Sequence, residues 1–435
     1  LNSPIIYIEQ KLYPKSELLI SFSQEELSGL VLKGIVEQSN NYYKFTFVGV
    51  VTVKSIAFAV IPKIYTEELK EFALLTIKTL KRYTKTNRQL FDGVDFFNIE
   101  PDNPECSELA IAEFLLEDFQ SNGIYAYKDR LYEINGNGDI HWVHTVNDID
   151  PIYSSGQPIY TDTINHTIIE DTLNLTASIQ KWSLNYVSNK YSELLGVDII
   201  NFDFDYEDNL SEIGSPEQLI NHLQKLLQVV YTDREIYLIK SLIFLVRNKI
   251  GAIENEISFY GTKAYSNIWE DICKQIWKYK HSNDSYFPKP KWNILGNIYE
   301  SKSVLIPDII VHDNEENTYL FDAKYYSLKF KNGLSGEPGY KDILKQFQYQ
   351  HHIESKKGKM IGNFFLFPVK DEDFIELKII EHSTIISDMI LIGNIKYELY
   401  PNKKIRILIC PFKEWQQMYL ENKSLDVISL KDLIC

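Results

Sequence analysis

Three charged residues have types and a spacing that could do chemistry. Asp308 follows Pro307, thirteen residues intervene, and Asp322-Ala323-Lys324 closes the pattern. Hydrolysing a phosphodiester requires a hard cation to polarise the phosphoryl oxygen, an activated water, and positive charge near the developing anion. Magnesium binds through one or two carboxylates and leaves its other positions to water and substrate phosphate, and manganese may substitute for it. Asp308 and Asp322 supply the carboxylates and the Ala323 carbonyl is a third oxygen donor. Lys324 can orient the water or offset charge at phosphorus. Carboxylates in an apolar stretch are costly unless paired, and a divalent metal is the simplest compensation.

Elements must bring these residues together. The apolar runs Val304 to Val311 and Tyr319 to Phe321 flank the polar turn His312 to Asn317, which reads as a β-hairpin with Asp308 in its first strand. Asp322 and Lys324, two apart in the second strand, share a face. Upstream, Ile268, Trp269, Ile272, Cys273, Ile276 and Trp277 form the apolar stripe of a helix that also carries Glu270. Downstream, Asp342 to Glu354 reads as a helix bearing Gln346 and Tyr349, and two apolar strands follow, Asn363 to Phe367 and Ile405 to Ile409. Residues 251–435 are therefore expected to form an α/β domain, a central mixed sheet flanked by helices.

The rest of the chain carries no comparable constellation. Residues 1–70 read as a β-rich module, with alternation from Tyr42 to Phe47 and apolar runs at Val48 to Val51 and Ile56 to Ile61; Pro62 ends the last. Residues 71–250 read as mainly helical, interrupted around Asn135 to Tyr160. His141 and His144 flank Trp142 there without a third ligand spaced nearby, which favours packing over a metal site. Cys106, Cys273, Cys410 and Cys435 form no CxxC pair and read as structural. The loop Gly333 to Gly339 is glycine-rich, but Tyr340-Lys341-Asp342 follows where a P-loop needs Gly-Lys-Ser/Thr, so no nucleotide motif is present.

A chain of 435 residues can bury two or three cores. No apolar run is long enough to span a bilayer and no signal peptide opens it, so the expectation is a soluble, cytoplasmic protein away from membranes. The net charge of −15 argues against a chain that grips nucleic acid alone, because phosphate neutralisation supplies most nonspecific affinity. Locally the balance reverses: Lys324 to Lys359 holds eight lysines against Glu337, Asp342 and Glu354, which suits a phosphate backbone.

The pattern Pro307-Asp308 with Asp322-Ala323-Lys324 resembles the PD-(D/E)xK nuclease superfamily. That resemblance implies that Glu270 joins the metal site and that Gln346 and Tyr349 lie beside the active site, at a spacing one residue shorter than the Gln-x-x-x-Tyr of RecB-like branches. Along the whole chain, Phe47-Val48-Gly49-Val50, Ala59-Val60-Ile61-Pro62-Lys63, Gly138-Asp139-Ile140-His141-Trp142, Tyr260-Gly261-Thr262, Trp269-Glu270, the two aspartate motifs and Lys345-Gln346 with Tyr349 resemble the LlaJI-type restriction endonuclease family, itself similar to McrC, the nuclease subunit of McrBC systems. The resemblance implies a Mg²⁺-dependent DNA endonuclease that works with an McrB-like AAA+ GTPase oligomer and stimulates its GTPase, the N-terminal module contacting that partner. An adaptor with a vestigial nuclease domain, or a nuclease for RNA or branched DNA, are the competing readings.

Overall fold

The run Val48–Val53 is buried at every position because, in the computed structural model, it is the middle strand of a five-stranded sheet; a strand covered on both faces needs no polar alternation. The structure describes residues 5–53, 56–87, 95–96, 107–171, 175–200, 202, 210–249, 257–278, 289–301, 306–313, 317–329, 333–357, 360–380, 383–386, 388–427 and 430–431. Val48–Val53 pairs antiparallel with Ile56–Ile61 and with Ile257–Thr262, and Ile5–Ile8 adds in parallel beside Ile56–Ile61. The two motifs around Gly49 and Gly261, 212 residues apart, are cross-strand partners. Each must be glycine, since a Cβ on Gly49 would stand 2.1 Å from the Tyr260 carbonyl oxygen and one on Gly261 2.1 Å from that of Val48.

Aromatic rings fill the core beneath this sheet, with Tyr7 stacked on Phe45 at 4.6 Å and edge-on to Phe58 at 5.4 Å. The helix Leu69–Thr86 buries Phe72, Ile77 and Leu80. The chain divides into two compact units, Leu1–Phe97 with Ile257–Cys435, and Asn98–Glu256.

The second unit has a helical core of Glu108–Asn122, Leu175–Leu195, Pro216–Leu227 and Asp233–Lys249. Buried Glu108 accepts from Lys190 at 2.8 Å, from Tyr186 and Tyr191 at 3.1 Å each, and from Asn248. The segment expected only to interrupt helices instead forms strands, Tyr127–Ile134 pairing antiparallel with Ile164–Asp171, which also pairs with Asp139–Ile140. Charged residues such as Asp129, Arg130 and Glu133 hide the strand pattern in sequence. His144 contacts Asp148 at 2.9 Å, and His141 caps the helix Trp142–Asp148.

The C-terminal part of the first unit contains a six-stranded mixed sheet. Its order is Ile309–His312, Thr318–Ala323, Met360–Val369, Lys404–Pro411, Met389–Lys396 and Thr384–Ile386. Thr318–Ala323, Met360–Val369 and Lys404–Pro411 run parallel, and the other pairings are antiparallel. The hairpin is present. Asp313 holds its turn, accepting from the Asn317 amide at 2.9 Å and from its side chain at 2.8 Å; the readings at Val304, Leu305 and Asn314 to Glu316 lie outside the described residues. Two placements differ, because Asp308 stands just before the first strand instead of within it, and Lys324 one residue past the end of the second. Pro307 explains the first, having no amide to offer a ladder.

The helix Tyr265–Ile276 buries the six stripe residues, Trp277 included, and seats Trp277 on Phe321 in a 4.5 Å stack. The helix Tyr340–Lys357 supplies Tyr349 and Ile353 to a cluster around Leu320. Phe321 and Leu320 point to opposite faces of their strand, so the two helices approach the aspartate strand from opposite sides. Cys273 and Cys410 are buried free thiols. Cys106 and Cys435 lie outside the described residues. Among the described residues no helix is long and apolar enough to cross a membrane.

Candidate active site

The hairpin register places the carboxylates. Ile309 pairs with Phe321, so one residue further Asp308 falls opposite Asp322. The Ala323 amide donates to Asp308 Oδ2 at 3.1 Å. That bond fixes the Asp308 carboxyl at the end of the neighbouring strand. Asp322 is 4% exposed. Burial, followed by the charge and hydrogen bond of Asp322, pushes the Asp308 carboxyl up to about 7, while the Ala323 amide and Lys324 act in the opposite direction. Two carboxylates this close cannot both ionise cheaply.

Lys324 Nζ lies 2.7 Å from Asp322 Oδ2 and 3.5 Å from Asp342 Oδ1. Burial lowers the affinity of this ammonium for its proton, but Asp322, Asp342 and Asp308 outweigh that effect and leave it raised. It is a permanent cation with one face toward the paired carboxylates, and its ammonium is also 5.7 Å from the Phe365 ring centroid.

Glu270 stands on the helix Tyr265–Ile276 and is bound to Lys274 at 2.5 Å. Both Glu270 and Asp308 act on Lys274 and on the neighbouring Cys273 thiol. Glu270 therefore shares an electrostatic neighbourhood with Asp308. Tyr349 donates to the Ile306 carbonyl at 2.9 Å, two residues before Asp308. Its hydroxyl is raised by burial and then by Asp308 and Asp322. Gln346 is placed otherwise. Its amide donates to Asn363 at 2.8 Å, and Asn363 in turn donates to Gln350 at 2.9 Å, so the Gln346 side chain braces the helix against the strand Met360–Val369.

The arrangement brings together Asp308, Asp322 and Lys324, with Tyr349 behind Asp308 and Glu270 within its field. The donor set suits a hard divalent cation: two carboxylates on adjacent strands, one resisting ionisation because the other is near, in a chain segment that also offers the Ala323 carbonyl. Three residues of this neighbourhood escaped the sequence reading. Lys274 was legible as the i+4 partner of Glu270. Asp342 and Asn363 depend on long-range packing and had no local signal.

A family model described as LlaJI restriction endonuclease matches residues 47–392. The chain is 30% identical over 450 aligned positions to the Type II restriction enzyme BsuMI component YdjA of Bacillus subtilis (strain 168), an alignment covering 97% of this chain and 90% of that protein. Among solved structures, a chain of the refined half-complex from the tetradecameric assembly of Thermococcus gammatolerans McrB AAA+ hexamers with bound McrC is similar at 13% identity, with a TM-score of 0.41, covering 99% of this chain and 100% of that one.

Proposed function

The chain belongs to the LlaJI restriction endonuclease family, and from that premise we propose that it is the cutting subunit of a GTP-dependent, McrBC-like restriction system, hydrolysing DNA phosphodiester bonds at the Asp308–Asp322–Lys324 cluster. The observation that carries this reading is the carboxylate pair itself, with a lysine ammonium 2.7 Å from one member. A PD-(D/E)xK fold for residues 251–435 is part of the proposal, supported by the mixed sheet with a helix on each face.

Asp308, Asp322 and the Ala323 carbonyl would hold Mg²⁺ or Mn²⁺, with Glu270 reaching them once released from Lys274. When bound, such a cation supplies a polarised phosphoryl oxygen and a water of lowered pKa. The chain's own groups do the rest. Lys324 is positioned to align the attacking water and to offset the negative charge that grows on the phosphate. Asp322 holds Lys324 in place. Tyr349, tethered to the Ile306 carbonyl, fixes the approach of the segment that carries Asp308.

A partner is proposed because the chain has a net charge of −15 and its sequence holds no nucleotide-binding motif, so DNA capture and energy supply are assigned to an AAA+ GTPase oligomer whose GTPase this chain stimulates. The Bacillus subtilis relative is likewise named as one component of an enzyme. The test mixes the purified chain with duplex DNA, forked DNA or RNA, with Mg²⁺, GTP and the AAA+ protein present or omitted. Cleavage of duplex DNA that requires both Mg²⁺ and the partner is expected. Cleavage of RNA alone, or of no nucleic acid in any combination, would overturn the proposal.

A further inference from the structure

A cavity of about 540 Å³ lies at the carboxyl ends of the parallel strands Thr318–Ala323, Met360–Val369 and Lys404–Pro411, lined by Ser327 to Lys329, Pro368 to Lys370 and Ile409. Lys63 and Ile64, just past the N-terminal strand Ile56–Ile61, form the facing wall. Crevices at strand carboxyl ends and of this volume are habitual ligand sites.

Three lysines, Lys63, Lys329 and Lys370, line it. In an acidic chain, lysines are expected to be paired, yet among the described residues neither Lys329 nor Lys370 is in a salt bridge, while the buried Glu9 carboxylate acts on Lys63. Lys63 is held over the Tyr325 ring at 4.4 Å and Lys370 over the Tyr65 ring at 3.7 Å. The rings hold both cations in place, and Glu9 offsets part of the charge of Lys63. Tyr325 is itself anchored, donating to buried Glu9 at 2.8 Å, and Glu9 also accepts from the Lys63 amide at 3.2 Å. Lys329 is fixed differently, by a reciprocal backbone pair with Ser335 at 2.9 Å each way. Gly336 permits that closure, since a Cβ there would stand 2.3 Å from the Ser327 carbonyl oxygen. The glycine-rich loop that is no P-loop thus forms part of a built wall.

We infer that this cavity binds a nucleoside monophosphate unit, its phosphate among Lys63, Lys329 and Lys370 and its base against Ile64, Leu328 and Leu377. Charge sets the phosphate count. Asp373 and Glu376 also line the space and Glu9 acts on Lys63, so the three lysines are largely balanced, which leaves room for one phosphate at most and opposes a triphosphate. An apolar wall without matched donors and acceptors gives little choice among bases. The unit is either a free mononucleotide or one nucleotide of a DNA strand.

Calorimetric titration of the full chain tests this with dAMP, GTP and a short 5′-phosphorylated deoxyoligonucleotide, on wild type, Lys329→Ala and Lys370→Ala, with urea midpoints as the folding control. Each substitution removes one charge-assisted contact and is expected to weaken binding by at least about tenfold, and GTP is expected to bind more weakly than dAMP. Binding of dAMP that the variants weaken identifies a free nucleotide ligand. Binding of the oligonucleotide alone, weakened in the same way, identifies a strand of DNA. Absence of binding by both probes at millimolar concentration, or equal binding by wild type and variants, overturns the inference. No arm requires cleavage, so this site and the proposed nuclease activity can fail separately.

Discussion

Asp308→Asn should make the metal-free protein more stable, and by an amount that grows with pH. The Asp308 carboxyl is pushed up to about 7 from its ordinary 3.8, first by burial and next by Asp322. The native state therefore keeps a proton at pH values where the unfolded chain has released it, so wild-type stability falls as pH rises from about 4 through about 7. Each pKa unit corresponds to about 1.4 kcal/mol, which puts the full cost at about 4 kcal/mol by pH 8 and at under about 1 kcal/mol at pH 4. Asparagine keeps an oxygen to accept from the Ala323 amide and carries no charge. Urea unfolding with chelator present, at both pH values, reads the difference directly. Added Mg²⁺ at a hundred times its dissociation constant should stabilise wild type by about 2.7 kcal/mol and leave Asp308→Asn almost unchanged. A variant less stable than wild type at pH 8 by the same margin as at pH 4 would refute the carboxylate-repulsion account.

Tyr349→Phe removes the hydrogen bond to the Ile306 carbonyl; a stability loss of about 1 kcal/mol is expected, with a larger fall in cleavage rate than in Mg²⁺ affinity, measured by urea unfolding, single-turnover kinetics and calorimetry. In the second unit, Arg234→Ala removes the charged partner of the buried Asp118 carboxylate, which Arg234 contacts at 2.5 and 2.9 Å, and leaves it the Asn122 side-chain amide at 2.9 Å. Because Arg234 is 39% exposed on its side chain, the expected loss is about 2–3 kcal/mol, read as a lower urea midpoint.

Much of the site was legible because its chemistry is local. Asp322 lies in the strand Thr318–Ala323 and Lys324, expected in the same strand, stands one residue past its end, while the apolar stripe from Ile268 keeps its helical spacing up to Trp277 at the helix C-cap. The strand Met389–Lys396 and its edge partner Thr384–Ile386 escaped notice, since only pairing with Lys404–Pro411 gives that segment its place. Asp308 was assigned to a strand on the strength of the apolar residues around it, although Pro307 already argued for a start one residue later. Gln346 shows the limit of motif reasoning: its type and position were readable, but its partner Asn363 was set by the packing of a helix on a strand. The Glu9–Tyr325 bond spans 316 residues, and neither end signals the other.

The most direct test of the central claim is single-turnover cleavage of duplex DNA by wild type and Asp322→Asn, each assembled with the AAA+ partner, GTP and saturating Mg²⁺. The substitution keeps size and removes the nearer of the two carboxylates on Lys324, leaving Asp342. Loss of cleavage by at least about a thousandfold, with partner binding and DNA binding unchanged, is the result expected of a metal-holding carboxylate. Cleavage at the wild-type rate would contradict the assignment of phosphodiester hydrolysis to this cluster.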